Sequence, residues 1–335
     1  MSDRVTIRDV ARKAGVSIAT VSRVINAKGD VSDTTRARVE RAASALGYSA
    51  DPVARALVSQ KTGLVGIVVG EFSGRDLSLI FFGKVLSAIA RRLAQSGYEP
   101  VLVQGVAEHR YDAAMLIGTD ASDPTVRDLI ARRMPLVGID VPCGGPRGAF
   151  VGSDHAGGVQ LALAHLHALG HRRIGHIAGA QDTVPGTTRL EAFRREAIRL
   201  GLEVPEDYVR RGDFSSASGY REAVALLALP EPPTAIVAAS DLMALAALQA
   251  IWESGRRPGS DVAVVGFDDI EAAALSHPPL TTIRQAREEI GVVAAELAID
   301  LLEGADTGGR AVILPVELIT RASSSPARAR AGNEG

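Results

Sequence analysis

The sequence is poor in cysteine and aromatic residues, and it has no long uninterrupted apolar stretch. Its one cysteine, Cys143, can form neither a disulfide within the chain nor a multi-thiolate metal site, which favours a reducing compartment. Aromatic residues make up only 4%, so a stacking site has few rings to draw on. The N-terminus MSDRVTIRDV is polar where a signal peptide is apolar, and the longest apolar run, 242–252, is too short for a membrane span. We therefore expect a cytoplasmic protein with no membrane partner.

Motifs for cofactor and hydrolase chemistry are also missing. No G-x-G-x-x-G follows a strand, and neither a P-loop nor a G-x-S-x-G turn occurs. Four histidines fall near one another, but residues two apart on a helix point to different faces and no carboxylate completes a ligand set. They are His165, His167, His171 and His176. The sequence thus predicts no enzymatic activity, no cofactor and no metal.

The net charge of −2 is the sum of two unlike parts. Up to Lys61 the chain has eleven Lys and Arg against six Asp and Glu, a balance of +5, which leaves −7 for the remainder. A basic head on an acidic body indicates that only one part meets nucleic acid. At 335 residues the chain is long for one compact domain, and 46% hydrophobic residues exclude a largely disordered chain.

Three short helices are predicted in the basic head. Gly15 ends the first helix, at 7–14, and a tight turn leads into a second helix that runs to about residue 26. Each helix begins at a capping residue, namely Thr6, Ser17 and Ser32. Two short helices joined by a glycine turn and closed by a third are typical of a helix-turn-helix module. From spacing alone, a purely structural helical subdomain is the alternative.

The second helix of such a module enters the major groove of DNA. Its N-terminal residues and one exposed face are expected to contact base edges, through Ile18, Ala19 and Arg23. Arg23 can bond guanine O6 and N7 together, which is worth about 1–3 kcal/mol of discrimination. Short polar side chains are suited to hydrogen bonds with DNA phosphates, which position the helix without specifying the base sequence. The predicted phosphate contacts are Thr6, Ser17, Thr20, Ser22 and Asn26.

At these residues the chain resembles the LacI/GalR family of bacterial transcription regulators. The resemblance begins with TIRDVARKAGVSIATVSRVIN, VSDTTRARV and LGYSADPVARAL. It continues through SDHAGG, HLHALGHRRIGHIAG, RLEAFRR, GDFSSASGY, AASDLMALAAL, VAVVGFDDI and PPLTTIRQ, and so covers the chain from about Thr6 to Arg321.

The segment 51–63 is predicted to be a linker with a short helix. Asp51 and Pro52 suit the start of a helix, but about seven residues are too few for a stable isolated helix in water. The resemblance implies a hinge helix that orders in a dimer on operator DNA, with Leu57 wedged into the minor groove beside Ala54 and Arg55. A linker leucine covered by the body is the alternative for Leu57.

From Leu64 onward, short apolar strands alternate with helices, as in parallel sheets covered on both faces. The predicted fold class is a small all-α helix-turn-helix domain plus a bilobed α/β body of two parallel doubly wound sheets, which the resemblance likens to periplasmic binding proteins. We expect a first lobe of 64–152 and about 283–308, and a second lobe of 153–282 and about 309–322. The head is 1–50, and a disordered tail is expected at 323–335.

Candidate ligand residues follow the predicted strands, because ligands of open α/β sheets bind beyond the carboxyl ends of the strands. Three carboxylates stand there, Asp140, Asp241 and Asp268. The resemblance adds Arg189, expected to open a helix from 188, and three rings, Phe81, Phe82 and Phe214. Carboxylates, an arginine fork and a flat ring together favour a sugar or polyol, with a nucleoside as an alternative. A capping role for Asp241 and a core role for Phe82 remain open.

The connection between the strands PVLVQ and AAMLIG departs from the family. It holds only about nine residues, 104–112, where relatives have a helix. We expect one face of the first lobe to be uncovered there, with its apolar residues exposed or buried by a dimer partner.

Together these features predict a ligand-responsive transcriptional regulator, expected to be a repressor. It would bind a pseudo-palindromic operator as a homodimer and respond to a small effector between the lobes. A sugar-binding protein without a regulatory role shares the body and is the alternative.

Overall fold

The computed structural model describes residues 5–25, 31–48, 61–69, 79–103, 111–119, 123–143, 147–202, 204–305 and 309–326. The chain divides into two compact units at the boundary between Gly63 and Leu64. Across the described ranges, no helix combines the length and the apolar character that a membrane crossing requires.

The N-terminal unit consists of three helices around a small apolar core. They are α1 (Ile7–Ala14), α2 (Ile18–Ile25) and α3 (Asp33–Leu46). The Asp9 carboxylate accepts hydrogen bonds from the backbone N–H of Thr6 at 3.0 Å and from its hydroxyl at 2.6 Å, which fixes the start of α1. Gly15 ends α1 with a φ of 62°, in the left-handed region that favours glycine. One valine from each helix is fully buried, namely Val10, Val21 and Val39.

The second unit has twelve strands and eight α-helices among its described residues. The strands are β1 (Leu64–Val69), β2 (Glu99–Val103), β3 (Ala113–Ile117), β4 (Leu136–Ile139), β5 (Gly148–Ser153), β6 (Ile174–Ala178), β7 (Val209–Arg211), β8 (Ala235–Ala238), β9 (Ala263–Asp268), β10 (Thr281–Gln285), β11 (Ala311–Leu314) and β12 (Val316–Ile319). The helices are α4 (Leu79–Gln95), α5 (Pro124–Ala131), α6 (His155–Ala168), α7 (Val184–Arg199), α8 (Ser216–Leu227), α9 (Asp241–Glu253), α10 (Glu271–Leu275) and α11 (Arg287–Glu303).

The strands form two six-stranded sheets, one in each lobe. The first lobe has the order β11-β5-β4-β3-β1-β2, with all strands parallel. The second lobe has the order β12-β10-β9-β8-β6-β7 and is parallel except for β12. The central strands are short and buried on both faces because helices cover both sides of each sheet, whereas the edge strands β2, β7, β11 and β12 are partly exposed. This is the fold class that the sequence predicts.

The chain passes between the lobes three times, after β5, after β10 and between β11 and β12. Two predicted boundaries are wrong at these passages. Residues 309–314 were expected in the second lobe, yet β11 pairs with β5 of the first, Ala311 opposite Phe150. Residues 283–285 were expected in the first lobe, yet they belong to β10 of the second. Local strand patterns identify a strand but not its sheet, which long-range pairing decides.

The strand face beside the connection from β2 to β3 is buried. Residues 104–110 of that connection lie outside the described residues, so the loss of a helix there stays a prediction. Val68 and Leu116 on this face are at most 1% exposed, packed with α5. The Tyr111 ring lies on Gly66, where a Cβ atom would come within 3.0 Å of the ring. The expectation that apolar residues are uncovered here is wrong for Val68 and Leu116, whereas Leu102 of β2 exposes 63% of its surface.

The first residues of the expected tail are ordered parts of the second lobe. Ser323 is fully buried; its hydroxyl donates to the carbonyl of Val264 and accepts the N–H of Thr281, both at 2.7 Å. The expectation of disorder from residue 323 is therefore wrong for 323–326, because these residues complete the hydrogen bonding of β9 and β10. Residues 327–335 lie outside the described residues.

Candidate functional site

The predicted base-contacting residues lie on the exposed side of α2. Ile18, Ala19 and Arg23 are exposed, whereas Val21 and Val24 are buried against the other two helices. Ile18 exposes 45% of its surface. The packing of the unit thus leaves the predicted face of α2 accessible.

The predicted phosphate contacts lie at the N-terminal ends of α1 and α2. Ser17 Oγ accepts the backbone N–H of Thr20 at 3.1 Å, and the two hydroxyl oxygens are 2.9 Å apart. The Thr6 hydroxyl is bonded to Asp9, and Ser22 is half-buried. Helix N-termini are suited to phosphate because their N–H groups and dipole attract an anion. Four other predicted contacts, Asn26, Ala54, Arg55 and Leu57, lie outside the described residues.

Three of the predicted effector residues have a backbone φ in the left-handed region. The values are 53° for Asp140, 72° for Phe214 and 127° for Asp268. Such a conformation costs a non-glycine residue on the order of 1–3 kcal/mol and is found mostly at ligand sites and turns. Asp140 follows β4, Phe214 precedes α8 and Asp268 ends β9. The backbone conformation at these three positions is therefore of a kind found mostly at turns and ligand sites.

Arg189 is buried at the boundary between the lobes, with 4% of its surface exposed. It lies in the second turn of α7, not at its start as predicted, because Thr183 caps the helix. Its guanidinium donates to the carbonyl oxygen of Ala239 and stacks on Phe267, with 3.6 Å from Cζ to the ring centroid. Burial lowers the pKa of Arg189, while the carboxylates of the site, Asp268 foremost, oppose that shift.

His155 joins Arg189 to Asp140, although the sequence did not single it out. Its Nε2 atom lies 3.0 Å from Asp140 Oδ1, and its Nδ1 atom lies 3.1 Å from Nη2 of Arg189. Asp140 Oδ1 also accepts the backbone N–H of Ser153 at 3.3 Å. Since Asp140 belongs to the first lobe and Arg189 to the second, the structure brings two predicted residues together across the lobe boundary.

Asp268 is held by Gln285, a second residue that the sequence analysis missed. The Gln285 side-chain amide donates to Asp268 Oδ1 at 2.7 Å, and both residues are at least nine-tenths buried. Burial raises the pKa of Asp268 to about 6, against the lowering effect of Arg189 and Arg287. The Gln285 Oε1 atom is buried and has no hydrogen-bond partner among the described residues. It is therefore an acceptor that a ligand hydroxyl can satisfy.

Asp241 is fully buried inside the second lobe. It is the first residue of α9, which Ser240 caps, so Asp241 is not the cap that the alternative supposed. Its carboxylate accepts hydrogen bonds from the Thr282 hydroxyl and from the N–H of Ile270 at 2.9 Å. Burial raises its pKa to about 7, and the charge of Asp268 adds to this. These two bonds hold Asp241 within the second lobe, and its predicted contact with an effector stays a prediction.

The predicted aromatic residues occupy different surroundings. Phe214 is half-buried, and its ring lies so close to Gly179 that a Cβ atom there would fall 2.1 Å from a ring carbon. Its ring centroid is 5.9 Å from Cζ of Arg189, so Phe214 belongs to the arginine cluster. Phe82 on α4 packs against the core of the first lobe, as the structural alternative supposed. Phe81 lies on α4, and its side chain is outside the described part.

A cavity of about 480 Å³ lies between α4 and the second passage of the chain. Lys84, Gln285 and Arg287 are among its lining residues. Gln285 thus joins this cavity to the cluster of Asp268 and Arg189. Within the described ranges, no group of three metal-ligating side chains occurs.

The comparisons with known proteins agree with both units. The model for bacterial regulatory proteins of the lacI family matches residues 6–51, and the model for a periplasmic binding protein-like domain matches 163–324. The HTH-type transcriptional regulator CelR of Thermobifida fusca is 36% identical over 96% of this chain and 98% of its own length. The chain belongs to the lacI family of bacterial regulatory proteins. It is a transcriptional regulator, and the resemblance stated from the sequence is confirmed.

Solved structures of lacI-family proteins share this fold over almost the whole chain. A complex of the transcriptional regulator CelR with cellobiose has a TM-score of 0.73 and 34% identity, and it covers 96% of this chain and 100% of that chain. A lac repressor dimer bound to operator and the anti-inducer ONPF has a TM-score of 0.80 and 31% identity, with the same coverage.

Three site residues of this lacI-family chain escaped the sequence analysis. Gln285 ends the strand in PPLTTIRQ, so the strand-end argument applied to the aspartates would have found it. Phe267 directly precedes Asp268 in a strand that is apolar and buried throughout, so the sequence does not distinguish this ring, which stacks on Arg189, from an ordinary core residue. His155 gives no local signal, because its partners are 15 and 34 residues away.

Proposed function

We propose that this protein represses transcription by binding a pseudo-palindromic operator as a homodimer, and that a small sugar-like effector between its lobes changes operator affinity. One observation carries this proposal: the same chain has a helix, α2, with Arg23 exposed for DNA contact, and a buried arginine, Arg189, at the boundary between the lobes. The protein binds DNA and an effector without catalysing a reaction, and it does so in the cytoplasm.

DNA binding is supported by the geometry of α2 and by the charge of the head. The exposed face carries Ile18 and Ala19 for apolar contacts and Arg23 for guanine. The capping groups of α1 and α2 provide hydroxyls and N–H groups for phosphates. Because phosphate contacts release counterions, operator affinity should fall steeply as salt rises. The lac repressor structure with operator is a dimer, which supports two half-sites for this chain.

A sugar-like effector is supported by the chemistry of the lobe boundary. Asp268, Asp140 and the Gln285 amide oxygen are acceptors for vicinal hydroxyls, and Arg189 is a fixed donor. The half-buried Phe214 ring provides an apolar surface beside the arginine. The CelR complex holds cellobiose, a ligand of this chemical class. We therefore assign this chain a small polyhydroxylated effector.

Two measurements on the full-length protein test the proposal. Gel shifts on a set of palindromic DNA duplexes should show sequence-dependent binding, and Arg23→Ala should reduce it by about 1–3 kcal/mol on the preferred duplex only. Thermal shifts with cellobiose, ribose and a nucleoside should identify a ligand that raises the melting temperature by mass action. Equal binding to all duplexes would refute the operator role. Stabilisation by the nucleoside alone would refute the sugar assignment.

A further inference from the structure

Both ring nitrogens of His155 are engaged at the boundary between the lobes. The residue begins α6, directly after the first passage of the chain, and only 3% of its surface is exposed. Nε2 lies 3.0 Å from Asp140 Oδ1. Nδ1 lies 3.1 Å from Nη2 and 3.4 Å from Nε of Arg189. The ring therefore stands between a carboxylate of the first lobe and a guanidinium of the second.

The partners of His155 determine where its hydrogen lies. A guanidinium has only donors, so Nδ1 has to be the acceptor of the contact with Arg189. Nε2 then carries the hydrogen and donates it to the Asp140 carboxylate, which is an acceptor. A hydrogen on Nδ1 would point at the guanidinium and remove the contact. The geometry is consistent with the neutral Nε2–H tautomer alone.

The same contacts form a continuous chain across the two lobes. Asp140 accepts from His155, His155 accepts from Arg189, and Arg189 donates to the carbonyl oxygen of Ala239. Phe267 supports both links, since its ring lies 3.6 Å from Cζ of Arg189 and 5.9 Å from the centre of the imidazole. The direction of the guanidinium plane thus depends on an imidazole that is itself held by the other lobe.

We infer that His155 is a positioning residue: as the Nε2–H tautomer it orients Arg189 for the effector and ties that arginine to Asp140 of the first lobe. The inference deepens the proposed function, on which its ligand-binding part rests. The hydrogen bond between His155 and Asp140 then couples the orientation of Arg189 to the relative position of the two lobes. An effector that draws an N–H of Arg189 away from His155 changes that link.

Two substitutions separate the two contacts of His155. In His155→Asn, the amide oxygen stands near the position of Nδ1, so it can accept from Arg189 while the donor to Asp140 is lost. In His155→Gln, the amide nitrogen stands near the position of Nε2, so it can donate to Asp140 while the acceptor for Arg189 is lost. Both replacements are polar and of similar bulk, and each serves as the control for the other.

The first measurement uses the free, full-length wild-type protein labelled with ¹⁵N-histidine. Long-range proton–nitrogen spectra distinguish a bare ring nitrogen from one that carries hydrogen, and loss of signals in His155→Asn assigns the residue. We expect a bare Nδ1 and a protonated Nε2 at neutral pH. A hydrogen on Nδ1 would overturn the inference, whatever the variants do.

The second measurement is hydrogen exchange at Nε–H of Arg189, again in the free protein. We expect similar rates in the wild type and in His155→Asn, and exchange at least tenfold faster in His155→Gln. Equal rates in both variants would show that the ring only fills space. In thermal shifts with cellobiose as the probe, His155→Gln should lose most of the stabilisation that His155→Asn keeps. Absence of any effect of both cellobiose and ribose on the wild type would count against the sugar assignment, and the two measurements on the free protein would still decide the role of His155.

Discussion

The guanidinium carbon of Arg189 lies 3.6 Å from the ring centroid of Phe267, and both side chains are buried. The stacked ring replaces part of the hydration that the guanidinium loses in the interior. Its N–H groups are directed toward His155 and the carbonyl of Ala239. This arrangement depends on a planar cation with several donors, which lysine does not provide.

Replacing Arg189 by lysine should therefore weaken the effector response while leaving operator binding intact. An ammonium on a flexible stem cannot stack on Phe267 and reach both hydrogen-bond partners. We expect the effector to bind at least tenfold more weakly, about 1.4 kcal/mol. Thermal shifts with the identified sugar measure this, and gel shifts measure operator binding.

Arg194→Lys is the matched control for that substitution. Arg194 lies on the same helix, half exposed, and pairs with the exposed Glu206, a contact of little energetic consequence. It should keep the full ligand response. An Arg189→Lys protein whose melting temperature rises with ligand as much as that of the wild type would contradict the assigned role.

Asp241 should make the stability of the second unit depend on pH. Burial raises its pKa from an ordinary value of 3.8 to about 7. Between these values the folded protein holds a proton that the unfolded chain has released, so stability falls as pH rises through this window and levels off above it. Asp241→Asn removes this titration. The free energy of unfolding of the wild type, minus that of this variant, should therefore decrease as pH rises from about 4 to 7.

Asp269→Asn is the control for that pH profile. Burial favours the protonated form of Asp269, but hydrogen bonds from Arg284 and Arg321, both at 2.7 Å, outweigh it and lower the pKa. Its contribution is therefore lost only on acidification below about pH 4. Urea unfolding of both variants and the wild type from pH 4 to 8 measures the difference. A flat profile for Asp241→Asn relative to the wild type would show that the buried carboxyl titrates normally.

The sequence was sufficient for features that depend on local chemistry. Caps, glycine stops and apolar spacing predict the three helices of the head, and strand ends locate Asp140 and Asp268. Features that depend on distant pairing were not predictable. Residues 311–314 and 316–319 are both short apolar strands separated by one proline, yet they enter different sheets. His155 acquires its role only because folding places it between residues of two lobes.

Leu57→Ala tests the hinge, which lies outside the described residues. A leucine wedged into a minor-groove step kinks the duplex and stabilises the bent DNA, and the resemblance to the family implies that Leu57 makes this contact on the operator. We expect operator affinity to fall at least tenfold and non-specific affinity to change by less than about twofold. Filter binding on operator and scrambled duplexes measures both, with Val58→Ala as the neighbouring control. Equal losses on the two duplexes would remove the wedge role.

The end of the chain should stabilise the second lobe up to residue 326. Ser323 is fully buried and bonds to Val264 and Thr281, while Ser324 Oγ lies 2.8 Å from Nε2 of His165. Ser323→Ala leaves a buried N–H and a buried carbonyl without a partner, which costs about 1–3 kcal/mol each. Deletion of 323–335 should lower the melting temperature by several degrees, whereas deletion of 327–335 should change it by less than one or two degrees. Scanning calorimetry of the two truncated proteins distinguishes these outcomes. Equal melting temperatures would mean that the buried serine hydrogen bonds contribute nothing, because water replaces them in the shortened chain.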